Sequence, residues 1–163
     1  RRCLRARAFH QNAEEMAVTK EAKSPPKWIL RAISAINNAV YRLTGGRFMG
    51  RLNGSPICLV TMTGRKSGRK ITVPLMYTPH GDKVLIVASL GGAPKHPVWY
   101  HNLVANPDAV IQHGSVKRSM RVREADAAEK ARLWPLCVAS YPDFAEYQKR
   151  TDRDIPLLVC EPA

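Results

Sequence analysis

Ile57-Cys58-Leu59-Val60-Thr61-Met62-Thr63-Gly64-Arg65-Lys66-Ser67-Gly68-Arg69-Lys70-Ile71-Thr72-Val73-Pro74-Leu75-Met76-Tyr77-Thr78 is two apolar, β-rich runs either side of a basic, glycine-bounded turn. Residues 57–63 and 71–78 read as strands, with Pro74 implying a bulge or a position without a ladder hydrogen bond. His80-Gly81-Asp82 is a tight turn before a third strand at 83–88, and short connections predict a meander of the three. Further on, 109–113 and 116–123 form a hairpin across Gly114-Ser115, and 155–160 is a final apolar strand. Helices fall between: 97–104 opened by Pro97 and closed before Asn106-Pro107, one capped by Asp126 and running through Leu133, and a short one at 143–150. About six strands with inserted helices argue for a mixed, mainly-β (α+β) antiparallel barrel rather than a doubly wound sheet. No G-x-G-x-x-G follows the first strand, which leaves a Rossmann site unsupported.

Composition bounds the function. The chain has 163 residues and a net charge of +13, enough for one domain with a real core. The charge is uneven: residues 124–163 carry eight acidic and five basic side chains, a balance of −3, and the first 123 residues carry +16. Such asymmetry points to an anionic partner, whether phosphate, acidic cofactor, nucleic acid or lipid. A nucleic-acid barrel lacks the basic and aromatic alternation expected on its strands. No apolar run approaches the roughly 18 residues of a membrane span. Cys3, Cys58, Cys137 and Cys160 have no metal-ligand spacing, and Cys58 and Cys160 sit in apolar runs as small core residues. A reducing, cytoplasmic setting is the default.

Residues 1–23 read as a flexible basic extension, with Met16 a natural start, ahead of a single domain at 24–163. Ser24-Pro25-Pro26 signals entry to a helix at 27–43, whose Ile29, Ile33, Ile36, Val40 and Leu43 form one apolar stripe flanked by Lys27, Arg31 and Arg42. It reads as a core-packed helix, or as a basic amphipathic helix making peripheral contact with the inner face of a membrane.

Three constellations carry chemistry. Arg65, Lys66, Arg69 and Lys70 surround two glycines, where side-chain cations and backbone amides converge on phosphate or carboxylate oxygens. Gly91-Gly92, after the third strand, frees the backbone to approach a ligand, and Trp99 and Asn102 share a helical face beside it. Tyr141, Phe144 and Tyr147 recur every third residue and on a helix would make one aromatic stripe, as core or as the wall of an apolar pocket. The chain lacks G-x-S-x-G, H-E-x-x-H and paired carboxylates in the barrel region. That lack of a protein nucleophile fits chemistry carried by an organic cofactor.

Thr63-Gly64-Arg65-Lys66-Ser67-Gly68, Val73-Pro74-Leu75, Val87 to Gly92, His96-Pro97-Val98-Trp99-Tyr100-His101-Asn102-Leu103, Ala105-Asn106-Pro107, Tyr141-Pro142, Tyr147, Thr151-Asp152-Arg153 and Ile155-Pro156 follow one another in an order that resembles the deazaflavin (coenzyme F420)-dependent nitroreductase family over residues 25–162. The resemblance implies a split β-barrel, flavin-reductase-like fold and a reduced coenzyme F420 that donates a hydride to small apolar electrophiles: enones, quinones and nitroaromatics. It implies that Arg65, Lys66 and Ser67 hold the anionic tail and phosphate. Pro74, Ala88, Ser89 and Leu90 would border the deazaflavin ring, with Val98, Trp99 and Asn102 nearby. Ser89, Tyr141 and Tyr147 would orient or protonate the substrate, with Met76 and Phe144 in its pocket. Leu90 and Ile71 stand where family members often carry lysine or asparagine, and arginine; Phe144 stands where the prodrug-activating nitroreductase has tyrosine. A non-catalytic F420 or lipid carrier and an FMN-dependent reductase are the alternatives. The chain is expected to be a monomer or homodimer with no nucleic-acid partner.

Overall fold

A computed structural model describes residues 51–52 and 54–163; the helix expected at 27–43 and the extension at 1–23 lie outside the described residues. Eight strands are present there, more than expected: β1 (Arg51–Leu52), β2 (Ser55–Thr63), β3 (Lys70–Met76), β4 (Thr78–His80), β5 (Lys83–Val87), β6 (Asp108–His113), β7 (Val116–Glu124) and β8 (Leu157–Pro162). Three helices accompany them: α1 (Val98–Ala105), α2 (Ala127–Ser140) and α3 (Asp143–Lys149). All pairings are antiparallel, in the order β1-β2-β6-β7-β8-β5-β4, with β3 also on β2.

The expected meander is corrected by this order. β3 pairs with β2, but the next strands leave it: β4 pairs with β5, and β5 with β8. The break is at Tyr77, between β3 and β4, where the single run read at 71–78 divides. Pro74 makes no bulge either. The β2–β3 register runs unbroken from Ile57↔Met76 to Thr63↔Lys70. β3 is an edge strand, where a residue lacking an N–H is tolerated.

Burial explains why some strands read as alternating and others as solid apolar runs. Cys58, Val60 and Met62 of β2, Ala109 and Ile111 of β6, and Met120 and Val122 of β7 point to one core, every second residue. β5 and β8 are buried on both faces. Ile86, Leu158 and Cys160 join that same core, while Leu85, Val87, Leu157 and Val159 face a second one shared with Leu133 and Cys137 of α2 and Phe144 of α3. Burial holds the Cys58 and Cys160 thiols well above their ordinary pKa, Cys160 up to about 12, as inert core residues.

Asp126 caps α2 as expected, its carboxylate accepting the Glu129 N–H at 2.7 Å. The helix passes the expected end at Leu133 and continues through Pro135 to Ser140. Leu133 and Cys137, four residues apart, bury one face of it, while Ala131, whose carbonyl Pro135 leaves without its helical partner, is exposed to water. Among the described residues no helix is long and apolar enough to cross a membrane.

Candidate functional site

The basic turn closes on itself. The Gly64 N–H donates to the Arg69 carbonyl at 2.9 Å and the Gly68 N–H to the Gly64 carbonyl at 2.8 Å. Gly64 has no room for a side chain: a Cβ would stand 2.8 Å from Ser67 Oγ and 2.9 Å from Ile71 Cδ1. Ser67 Oγ accepts the Arg69 N–H at 3.3 Å, fixing the turn while its own proton remains available to donate. Residues 65–70 are all exposed. None of the ion pairs among the described residues involves Arg65, Lys66, Arg69 or Lys70. Four cations without carboxylates form a donor set for an external anion.

From this turn the structure leads to a cup. The Asn102 side-chain oxygen, buried on α1, accepts the Arg65 N–H at 3.1 Å. Trp99, three residues earlier on the same face, lines a cavity of about 250 Å³. The other walls are Ile57 of β2, Pro74, Leu75 and Met76 of β3, Val87 at the end of β5, Ser89 and Leu90 just after it, and Phe144 and Tyr147 of α3. The cup thus lies between β3 and β5, two strands of the sheet that approach without pairing. Its volume falls just below the range of about 300–1,000 Å³ for a whole ligand pocket, so it suits a ring system whose remaining substituents run outside.

The loop beneath the cup is conformationally constrained. Leu90 has φ +47°, the one non-glycine residue at positive φ among those described, and Gly91 and Gly92 follow at +65° and +81°. A Cβ on Gly92 would lie 2.6 Å from the Tyr147 carbonyl and 2.9 Å from Arg150 Cβ, so α3 packs directly on its backbone. Behind the loop Arg153 donates to the carbonyls of Ala88, Ser89 and Ala93 at 3.2, 2.7 and 2.8 Å.

Of the residues singled out from sequence, Pro74, Met76, Ser89, Leu90, Trp99, Phe144 and Tyr147 meet in the cup. Others stand elsewhere. Ala88 is fully buried and contributes a carbonyl to Arg153, Val98 is 75% exposed outside the cup, and Arg65, Lys66 and Ser67 are on the outer turn. Pro97 lies one residue before α1, in extended geometry, instead of inside it. Tyr141 is not on one helical stripe with Phe144 and Tyr147: it follows α2 and precedes α3. The three rings still cluster, with centroids 5.0–6.4 Å apart. Tyr141 stands behind Tyr147, donates to Asp143 Oδ2 at 2.8 Å and lies 3.1 Å from the Tyr147 hydroxyl. Because a carboxylate only accepts, the Tyr141 proton is committed to Asp143 and Tyr147 is the donor in the tyrosine pair.

Ile57, Leu75, Val87 and Arg153 were given no role in the site, although the last three stand within the motifs that carry the resemblance. The first three look like ordinary strand residues, and Arg153, between Asp152 and Asp154, has the look of a surface ion pair. A larger groove of about 430 Å³ runs along α2 and α3, but its polar groups serve each other. Lys130 pairs with Asp154 and lies over Trp134, and the Gln148 amide is spent on Arg153 and Ile155.

The fold sets an apolar cup beside an exposed cationic turn, chemistry that suits a flat apolar ring with an anionic extension. Residues 33–162 match the family model described as F420H(2)-dependent quinone reductase. An F420H(2)-dependent quinone reductase of Mycobacterium tuberculosis is 37% identical over 141 residues, covering 82% of this chain and 95% of its own. Among solved structures, an F420-H2 dependent reductase (FDR-A) superposes with a TM-score of 0.62 at 47% identity, covering 65% of this chain and 94% of that one. A chain described as a domain-swapped dimer superposes at 0.64 with 40% identity, covering 85% and 100%. The chain belongs to the F420H(2)-dependent quinone reductase family. It is therefore an oxidoreductase whose hydride donor is reduced coenzyme F420, and the cationic turn and apolar cup fit such a group.

Proposed function

We propose that this chain is a split β-barrel reductase that passes the hydride of reduced coenzyme F420 to a quinone bound in the aromatic half of the cup. The observation that carries the reading is the pairing of the carboxylate-free cationic turn with the apolar cup, joined by the Trp99–Asn102 face of α1. Arg65, Lys66 and Ser67 would hold the anionic tail and phosphate. Pro74, Ser89, Leu90 and Trp99 would border the ring, Ala88 and Asn102 support it from behind, and Val98 stands at the outer rim. Met76, Phe144 and Tyr147 would receive the acceptor.

When bound, reduced coenzyme F420 supplies the hydride. The chain orients the acceptor, excludes water with apolar walls and delivers a proton. As hydride arrives, a quinone oxygen gains negative charge, which the Ser89 and Tyr147 hydroxyls can stabilise. Tyr147 lines the cup, and its hydroxyl, which donates to Tyr141 in the free protein, would turn inward to donate its proton to the acceptor. Tyr141 acts through it: once Tyr147 has given up its proton, a proton taken from water by the exposed Asp143 carboxylate would pass to Tyr141 and on to Tyr147 as both hydroxyls turn. Enones and nitroaromatics would use the same oxyanion stabilisation. Phe144 puts a phenyl edge where a hydroxyl would serve a bulky nitro group, which favours flat quinones.

Calorimetric titration with coenzyme F420 and with FMN tests the cofactor. Re-oxidation of the reduced cofactor by a naphthoquinone, an enone and a nitroarene then ranks acceptors. Tighter F420 binding and fastest quinone turnover are expected. Preference for FMN, or F420 binding without turnover of any acceptor, overturns the reading in favour of an FMN enzyme or a carrier. A homodimer, as described for the 40%-identical relative, is the oligomeric state to test by sedimentation.

A further inference from the structure

Arg153 is a half-buried arginine that has no carboxylate partner among the described residues. Its Nε donates to the Ala93 carbonyl at 2.8 Å, and one terminal nitrogen donates to the carbonyls of Ala88 and Ser89 at 3.2 and 2.7 Å. The other terminal nitrogen lies 3.1 Å from His96 Nδ1. An arginine only donates, so His96 Nδ1 must accept, the ring must be neutral, and its proton must be on Nε2. The acceptors enclose the loop that shapes the cup floor: Ala88 and Ser89 before the left-handed Leu90, Ala93 and His96 after it.

We propose that Arg153 is a positioning residue for cofactor binding: with neutral His96 as its fourth acceptor, it holds the 88–96 segment from behind and keeps Leu90 in the left-handed conformation that lets the loop receive the ring. The inference rests on the cofactor reading above. A positive φ at a leucine is costly and persists only where surroundings over-determine it. The loop's own bonds, Gly92 N–H to Ser89 carbonyl at 3.0 Å and Ala93 N–H to Leu90 carbonyl at 3.1 Å, are short-range. The Ala88 N–H donates to the Pro156 carbonyl at 2.9 Å and ties the first end to the chain entering β8; among the described residues the guanidinium fork alone ties both ends. A lysine keeps the charge but not the fork.

The same contact makes the support sensitive to acid. A proton on His96 Nδ1 sets donor against donor, beside a permanent cation. The groups facing His96 are Arg153 from the segment before β8, Tyr100 and His101 from α1, and Glu124 of β7, which accepts the Tyr100 hydroxyl at 2.7 Å. Burial, Arg153 and His101 lower the His96 pKa below its usual value, with Glu124 opposing. The contact is therefore complete at neutral pH and above, and is lost as pH falls through that lowered value.

The test begins in the cofactor-free protein. Arg153→Lys should speed hydrogen exchange at the Gly92 and Ala93 amides about tenfold while leaving Gly64 and Gly68 unchanged. His96→Phe, which removes only the fourth acceptor, should raise exchange at Ala93 about threefold and covers the case of a poorly folding Arg153→Lys. Nitrogen NMR should find His96 as the neutral Nε2–H tautomer. Unchanged exchange in both variants, or an Nδ1–H tautomer, overturns the proposal.

Calorimetric titration with coenzyme F420 then reads function. Arg153→Lys should bind about tenfold more weakly, with kcat at saturation within about twofold, since no reacting atom is touched. Wild type should lose affinity relative to His96→Asn only on the acid side of about pH 6.5, the ordinary imidazole value, a difference in which titration of the cofactor itself cancels. Normal F420 affinity in Arg153→Lys overturns the inference and leaves the cofactor reading intact. No F420 binding by wild type, with exchange faster in Arg153→Lys, overturns the cofactor reading and reduces Arg153 to a purely structural role.

Discussion

The chain has two glycine turns at its candidate site, and they are built in opposite ways. The turn at Gly64–Gly68 is held by its own backbone and presents exposed cations to solvent. The turn at Leu90–Gly92 is held from outside, by α3 packed on Gly92 and by Arg153 behind Ser89. The first recognises by charge, which acts at a distance, tolerates motion and is screened by salt. The second recognises by shape, which requires fixed neighbours. One ligand reaching both turns would take its orientation from the second and its electrostatic attraction from the first.

The largest test of this contrast is Gly92→Ala. It adds a carbon 2.6 Å from a backbone carbonyl at φ +81° and should cost about 2–4 kcal/mol in thermal or denaturant unfolding. A near-wild-type midpoint would show that α3 does not rest on this loop. Next is Arg65→Ala with Lys66→Ala. Coenzyme F420 affinity should drop roughly tenfold or more and lose much of its salt dependence, while unfolding moves by no more than about 0.5 kcal/mol. A large loss of stability would mean that the cations hold the fold. Asn102→Ala removes the link between the two regions. It strands the Arg65 N–H and should destabilise the chain by about 1–2 kcal/mol, with a measurable rise in exchange at that amide. Gly68→Ala is the smallest: at φ +64° with open space around the missing Cβ, it should cost only about 1 kcal/mol. If it proved as damaging as Gly92→Ala, the division into self-held and neighbour-held turns would fail.

Much of this was legible in the chain. The hairpin tips, the basic turn and the Asp126 cap announce themselves because each depends on residues within a few positions: Gly81 and Gly114 at positive φ, and Asp126 three residues from the N–H it caps. The resemblance also placed Pro74, Met76, Ser89, Leu90, Trp99, Phe144 and Tyr147 at a common site. The pairing of β5 with β8 was not legible, because two strands 70 residues apart in sequence carry no local mark of each other, and adjacency along the chain favoured β3. Arg153 was missed for a similar reason. Its neighbours in sequence are aspartates, and its partners are carbonyls more than fifty residues away.

The sequence by itself determined the strand-rich composition, the cationic turn and the family, since these reside in residue type and short spacing. The tertiary structure alone decided that β3 and β5 leave a gap, that the gap is floored by a left-handed leucine, and that an arginine from the far end of the chain supports it. Those are contacts between distant segments, set by which apolar faces can be buried together.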